Sequence, residues 1–103
     1  MADRLTTSYG SEQDGVRPAL IISDNLFNMS LSGMVVVVPI TSKCRGIPSH
    51  VEIDYEFMKQ KSYIKTEDIR AISTNRLIKK LGAVDTLILA QVEEYLKLIL
   101  GFE

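Results

Sequence analysis

Three side-chain types in this sequence could act together on a phosphate ester: the guanidinium of Arg17, the hydroxyl of Thr41 and the carboxylate of Glu12. An arginine fork grips two phosphate oxygens at once and keeps its charge through a transition state. A hydroxyl can donate to a developing phosphorane, and a carboxylate can position or deprotonate a ribose 2′-OH. Each residue also has an ordinary structural use. Arg17 could be an ion pair, Thr41 a strand-end hydroxyl and Glu12 solvated surface, and their spacing alone does not choose between these uses.

Other chemistries narrow quickly. His50 and Cys44 are the single histidine and the single cysteine, which rules out a two-histidine acid–base pair and a thiolate zinc cluster. With no H-x-x-x-H or C-x-x-C, and with Asp54, Glu56, Glu67 and Asp68 dispersed, the ligand inventory does not favour a catalytic metal. No G-x-x-x-x-G-K-[ST] or G-x-G-x-x-G phosphate cradle is present. His50 opens a strand, where a lone imidazole is more often a hydrogen-bonded surface residue than a base. Cys44 lies between Lys43 and Arg45, which would lower a thiol pKa, but no orienting motif accompanies it.

The residues that must position this chemistry fit one small domain. The chain has 103 residues, 46% of them hydrophobic, enough to fold but only modestly stable alone, so a homodimer would help. Twelve Lys and Arg against thirteen Asp and Glu give a formal charge of −1, which argues against indiscriminate nucleic-acid binding without excluding a local basic cleft. The polar start MADRLTTSYG is no signal peptide, and the longest apolar run, Met34–Ile40, is too short to span a membrane. One cysteine suits a reducing compartment, so a soluble cytoplasmic protein is expected.

Gly10–Ile22 is a polar, glycine-bearing loop that runs into an apolar strand. Pro18 disfavours helix at Arg17 and suits the first residue of a strand, so Arg17 is expected at a strand entrance. Ala19–Ile22 reads as a short buried strand and residues 24–33 as a loop. Met34–Thr41, with four consecutive valines and no alternation, predicts a strand buried on both faces. Ser42–Ser49 is a basic loop, His50–Asp54 a half-exposed strand, and residues 55–61 a charged connection. Tyr63-Ile64, Ile69–Ser73 and Lys79–Val84 are further short strands, the last interrupted by Gly82; Ser73–Leu77 suggests a helical turn. Asp85 caps the one long helix, Thr86–Leu100, whose stripe of Ile88, Val92, Tyr95, Leu96 and Ile99 faces the core, with Gly101 as its stop. Leu87, Leu89, Leu98 and Leu100 widen that stripe enough for a partner as well.

Taken in order, GSEQ-x-G-x-RP-A-x-x-I at Gly10–Ile22, VVVPIT at Val36–Thr41 and K-x-R-G-IPSHVEI at Lys43–Ile53 resemble the MazF/PemK toxins. IRAIS, Arg76-Leu77 and LILGF at Leu98–Phe102 continue the likeness, which covers roughly residues 10–102. The resemblance implies a mostly β fold: an SH3-like small β-barrel of the MazF/PemK/CcdB type with a C-terminal helix, occupying residues 10–103 as a single domain behind an atypical polar segment, 1–9. It implies a homodimeric toxin of a toxin–antitoxin pair that needs no metal or cofactor. Such a toxin cleaves single-stranded RNA at short sequences, by 2′-OH attack that leaves a 2′,3′-cyclic phosphate, and so arrests translation. Arg17 and Thr41 match the family's catalytic arginine and threonine. Ser11 and Glu12, and Ile47, Pro48 and Ser49, match two RNA-contacting loops, while Lys43 and Arg45 would hold the backbone. The antitoxin would place an acidic, partly disordered segment in the groove.

Two features depart from the family pattern. Its members begin with an apolar strand before the GSEQ loop; here Leu5–Tyr9 either forms that strand or the barrel lacks an element. Asp68 stands where relatives often carry glutamine, and facing RNA it would repel phosphate. Two further readings stay in view: a CcdB-like toxin that binds gyrase without catalysis, and a catalytically silent antitoxin-binding module.

Overall fold

β-Branched density sets the central strand. The four valines lie in β3 (Met34–Thr41), and their side chains divide between the two faces of the sheet. Val35 and Val37 enter one buried cluster with Ala19, Ile21 and Ile72, whereas Val38 and Ile40 enter another with Leu20, Val51, Ile53 and Ile64. Burial on both faces explains the missing polar alternation, and each such side chain contributes about 1.5–3 kcal/mol of transfer free energy.

The computed structural model describes residues 5–11, 15–24 and 31–102, with the backbone alone for 5–11 and 15. The remaining strands are β1 (Leu5–Ser11), β2 (Gly15–Ile21), β4 (His50–Ile53), β5 (Ser62–Lys65), β6 (Arg70–Ser73) and β7 (Leu77–Ala83). Single 3-10 turns occupy Glu56–Met58, Thr66–Asp68 and Thr74–Arg76, and one helix follows, α1 (Thr86–Leu100). The sheet runs β4-β5-β3-β2-β1-β7, with β6 also on β3, every pairing antiparallel. Hydrogen bonding leaves this path open at β4 and β7 instead of closing it into a barrel. The architecture remains mostly β with a C-terminal helix.

β1 settles one alternative left by the sequence. Polar as it is, Leu5–Ser11 pairs with β2 along one edge and with β7 along the other, where two register shifts fall between Thr6 and Thr7 and between Ser8 and Tyr9. β2 starts earlier than expected, at Gly15, so Arg17 and Pro18 lie inside a strand rather than at its mouth. Pro18 is tolerated because the β2–β3 pairing begins only at Ala19, and a missing N–H breaks no rung there.

α1 is capped as its sequence predicts. The Asp85 carboxylate accepts from the Ile88 N–H at 2.9 Å, and Gly101 closes the helix in the left-handed region at φ 76°. Its buried residues are Leu89 and Val92, with Ile88, Tyr95 and Leu96 packed beside them. Ile99, expected in this stripe, is 42% exposed, so Leu89 takes the central place instead. Leu87, Leu98, Leu100 and Phe102 are also exposed.

Candidate active site

β2 and β3 bring Arg17 and Thr41 to one place by register. Their antiparallel pairing runs Ile21↔Val37, Leu20↔Val38, Ala19↔Pro39; two further steps would set Arg17 opposite Thr41. The pairing stops before that point, and the end of β3 pairs with β5 instead, Ile40 to Ile64 and Thr41 to Tyr63. A cleft of about 610 Å³ lies here, lined by Arg17 and Pro18 from β2, by Ile40 to Lys43, and by Phe57 to Gln60 of the connection after β4.

The electrostatics of this cleft are one-sided. Arg17, Lys43 and Lys59 line it, and among the described residues no Asp or Glu does and none of these three cations is ion-paired. Local positive charge therefore coexists with the net charge of −1. The Thr41 hydroxyl accepts from the Lys43 N–H at 3.2 Å, so its proton remains available for a second partner. An arginine fork and a free hydroxyl proton around one space can hold a tetrahedral or pentacovalent oxyanion. Among the described residues, no three of His, Cys, Asp and Glu converge as a metal site.

The predicted second loop falls elsewhere. Ile47, Pro48 and Ser49 do not line the cleft. Ile47 and Pro48 are exposed, while Ser49 is fastened from two sides: its hydroxyl donates to Glu67 Oε1 at 2.9 Å, and its carbonyl accepts from Thr66 Oγ1 at 2.7 Å. His50 Nε2 meets Glu67 Oε2 at 2.8 Å, and the imidazole is 3% exposed. A ring so enclosed is an anchor for the 42–49 loop and not an open base. Partial burial pushes the Glu67 carboxyl up, but hydrogen bonds from His50, its own backbone and Ser49 outweigh that and leave it below its ordinary value. Ser11 ends β1, where only its backbone is described, and Glu12 lies outside the described residues, as do residues 25–30 of the expected 24–33 loop.

Two other sequence expectations change. Asp68 is not a bare negative charge: Arg70 donates to it at 2.6 Å and Lys65 lies 3.5 Å away, so its repulsion of an anion is largely neutralised. The Arg70 hydrogen bond, against some desolvation, holds its carboxyl below the ordinary range. The connection 55–61, read from sequence as merely charged, supplies four residues of the cleft wall. Its signal was the Tyr55/Phe57 pair in an otherwise charged stretch, whose rings stack at 5.0 Å and 10°.

The family profile described as "PemK-like, MazF-like toxin of type II toxin-antitoxin system" matches residues 2–100. Among curated relatives, the endoribonuclease EndoA of Bacillus subtilis is 38% identical over 102 residues, covering 94% of this chain and 86% of that protein. The endoribonuclease MazF9 of Mycobacterium tuberculosis is 33% identical, covering 91% of this chain and 86% of that protein. Among solved structures, MazF of Deinococcus radiodurans superposes with a TM-score of 0.80 at 23% identity, covering 98% of this chain and 96% of the other. At that identity the superposition speaks for the fold alone. With the family profile spanning nearly the whole length and a relative 38% identical across it, this chain belongs to the PemK-like, MazF-like toxins of type II toxin–antitoxin systems.

Proposed function

We propose that the protein is an endoribonuclease toxin that cleaves single-stranded RNA without a metal, by attack of a ribose 2′-OH on the adjacent phosphate. The observation that carries this reading is the cleft that Arg17 and Thr41 share, lined by Lys43 and Lys59 as well and, among the described residues, by no carboxylate. Arg17 clamps the non-bridging oxygens of the scissile phosphate and neutralises the charge that grows on them. Thr41 donates its hydroxyl proton to the same oxyanion. Ser11, Glu12, Ile47, Pro48 and Ser49 contact flanking nucleotides, whose unstacked bases a single strand can splay into loops. The relatives named as endoribonucleases support the reaction class.

The proposal extends to partners. One structural neighbour is a mycobacterial endoribonuclease solved with its cognate antitoxin. An antitoxin of this protein would present an acidic segment to the same cationic cleft. The protein acts as a homodimer, its residues forming one domain, in the cytoplasm; no helix among the described residues is long and apolar enough to cross a membrane.

The test is incubation of the purified protein with a mixed-sequence transcript in excess EDTA, followed by analysis of the new ends. Cleavage at a short recurring sequence, leaving 2′,3′-cyclic phosphates, is the expected result. Growth arrest without cleavage would replace this reading with a CcdB-like, non-catalytic toxin.

A further inference from the structure

Lys59 is the one residue other than glycine that adopts a positive φ among the described residues, at 68°. A Cβ is crowded in this region, which glycine or asparagine occupies with least strain. Strained backbone of this kind persists only where its surroundings over-determine it, and it collects at ligand-binding sites. The bracing here is explicit. The Lys59 N–H closes the Glu56–Met58 turn onto the Glu56 carbonyl at 3.0 Å. Two residues back, the Phe57 ring stacks on Tyr55 and presses on β7 so closely that a Cβ on Gly82 would stand 2.7 Å from it. Tyr55 is fixed in turn, its hydroxyl accepting from the Asp85 N–H at 3.0 Å.

This braced turn places Lys59 in the wall of the cleft that Arg17 and Thr41 also line. No carboxylate among the described residues pairs with Lys59, although Lys61, two residues on, reaches Glu52 at 3.8 Å. One arginine fork is committed by a single phosphate, so the next phosphate along a strand needs its own cation. We propose that Lys59 is a substrate-positioning residue that binds a backbone phosphate of single-stranded RNA adjacent to the scissile one, an inference that rests on the endoribonuclease reading above. The lysine holds the strand through charge and gives no sequence preference. Its braced turn holds the Lys59 backbone at the cleft before RNA arrives, so only side-chain freedom is lost on binding.

The experiment uses a fluorescein-labelled 2′-O-methyl RNA of about twelve nucleotides and randomised sequence, which binds but cannot be cleaved. Its affinity is measured by anisotropy across a salt series for wild type, Lys59→Gln, Lys59→Arg and Lys59→Gly. Loss of one phosphate contact lowers the slope of log K against log salt by about 0.7. That drop is expected for Lys59→Gln and Lys59→Gly, with several-fold weaker binding, and Lys59→Arg should restore the wild-type slope. Lys59→Gly should keep or raise the melting temperature, which separates the lost contact from a lost fold. In cleavage of a mixed-sequence transcript, Lys59→Gln should raise KM and leave kcat near wild type. Unchanged affinity and slope in Lys59→Gln would overturn the inference while leaving the endoribonuclease reading intact. A wild-type protein that cleaves nothing would overturn that reading, and the salt slope would still decide the phosphate contact.

Discussion

In the proposed reaction Arg17 and Thr41 carry the chemistry at the scale of single residues, and their loss should read differently from damage to the fold. Removing one preorganised donor costs about 10²–10³ in rate, so Arg17→Ala should lower cleavage by that factor with the melting temperature held. Thr41→Ala should also impair cleavage, and full activity in a folded Thr41→Ala protein would remove that hydroxyl from the mechanism. Asp68 makes a prediction about pH. Its folded pKa is depressed, chiefly by the Arg70 hydrogen bond, so its stabilisation is complete above the unfolded value of 3.8 and disappears as pH falls through the lower folded value. Urea unfolding at descending pH should therefore show the gap between wild type and Asp68→Asn narrowing below about pH 4, the reference for a free aspartate. The carboxylate is 35% exposed, so the effect is small; a gap independent of pH would show that the ion pair contributes nothing.

The cleft is made by elements that part company. β2 and β3 remain paired from Ile21↔Val37 to Ala19↔Pro39, after which β3 turns to β5 and a cleft lined by Arg17 and Thr41 opens. The third wall depends on β7. Because a Cβ at Gly82 would come within 2.7 Å of the Phe57 ring, Gly82→Ala must displace either the strand or the ring. Overpacking of this kind costs about 1–3 kcal/mol, which denaturant titration should detect, and cleavage should weaken as the Phe57–Gln60 wall shifts. Normal stability and activity in Gly82→Ala would show that the wall yields freely. In the sequence, Gly82 looked only like a weak point in a strand; its close approach to Phe57 joins residues 25 positions apart, beyond the reach of local pattern.

The whole molecule holds a small basic cleft on a chain of net charge −1, and an exposed apolar end on α1. Leu98 is 71% exposed and Phe102 67%, more than a solitary surface residue each, since both lie beside exposed Ile99 and Leu100. Sedimentation should give about twice the 11.5 kDa chain mass, and Leu98→Asp should shift the equilibrium toward the single chain. A monomer at all concentrations would remove the homodimer from the proposal.

The residue order alone determined the elements whose causes are local: β3 from its valines, α1 from its Asp85 cap, apolar stripe and Gly101 stop, and the turn at Thr74–Arg76. It also left Arg17, Thr41 and Glu12 as candidates for phosphate chemistry once histidine pairs, thiolates and metal clusters were set aside, and the family resemblance of their motifs singled out Arg17 and Thr41. What the tertiary structure decided rests on contacts between distant segments. β1 is a strand because β2 and β7 flank it, not because its own sequence is apolar. Ser49 and His50 are tied to Glu67 from 17 or 18 positions away, which turns a possible base into an anchor. The 55–61 connection became a cleft wall because Phe57 found Gly82. Local propensity is encoded in neighbours along the chain, whereas a cleft is encoded in which strands stop pairing, and only the folded register shows that.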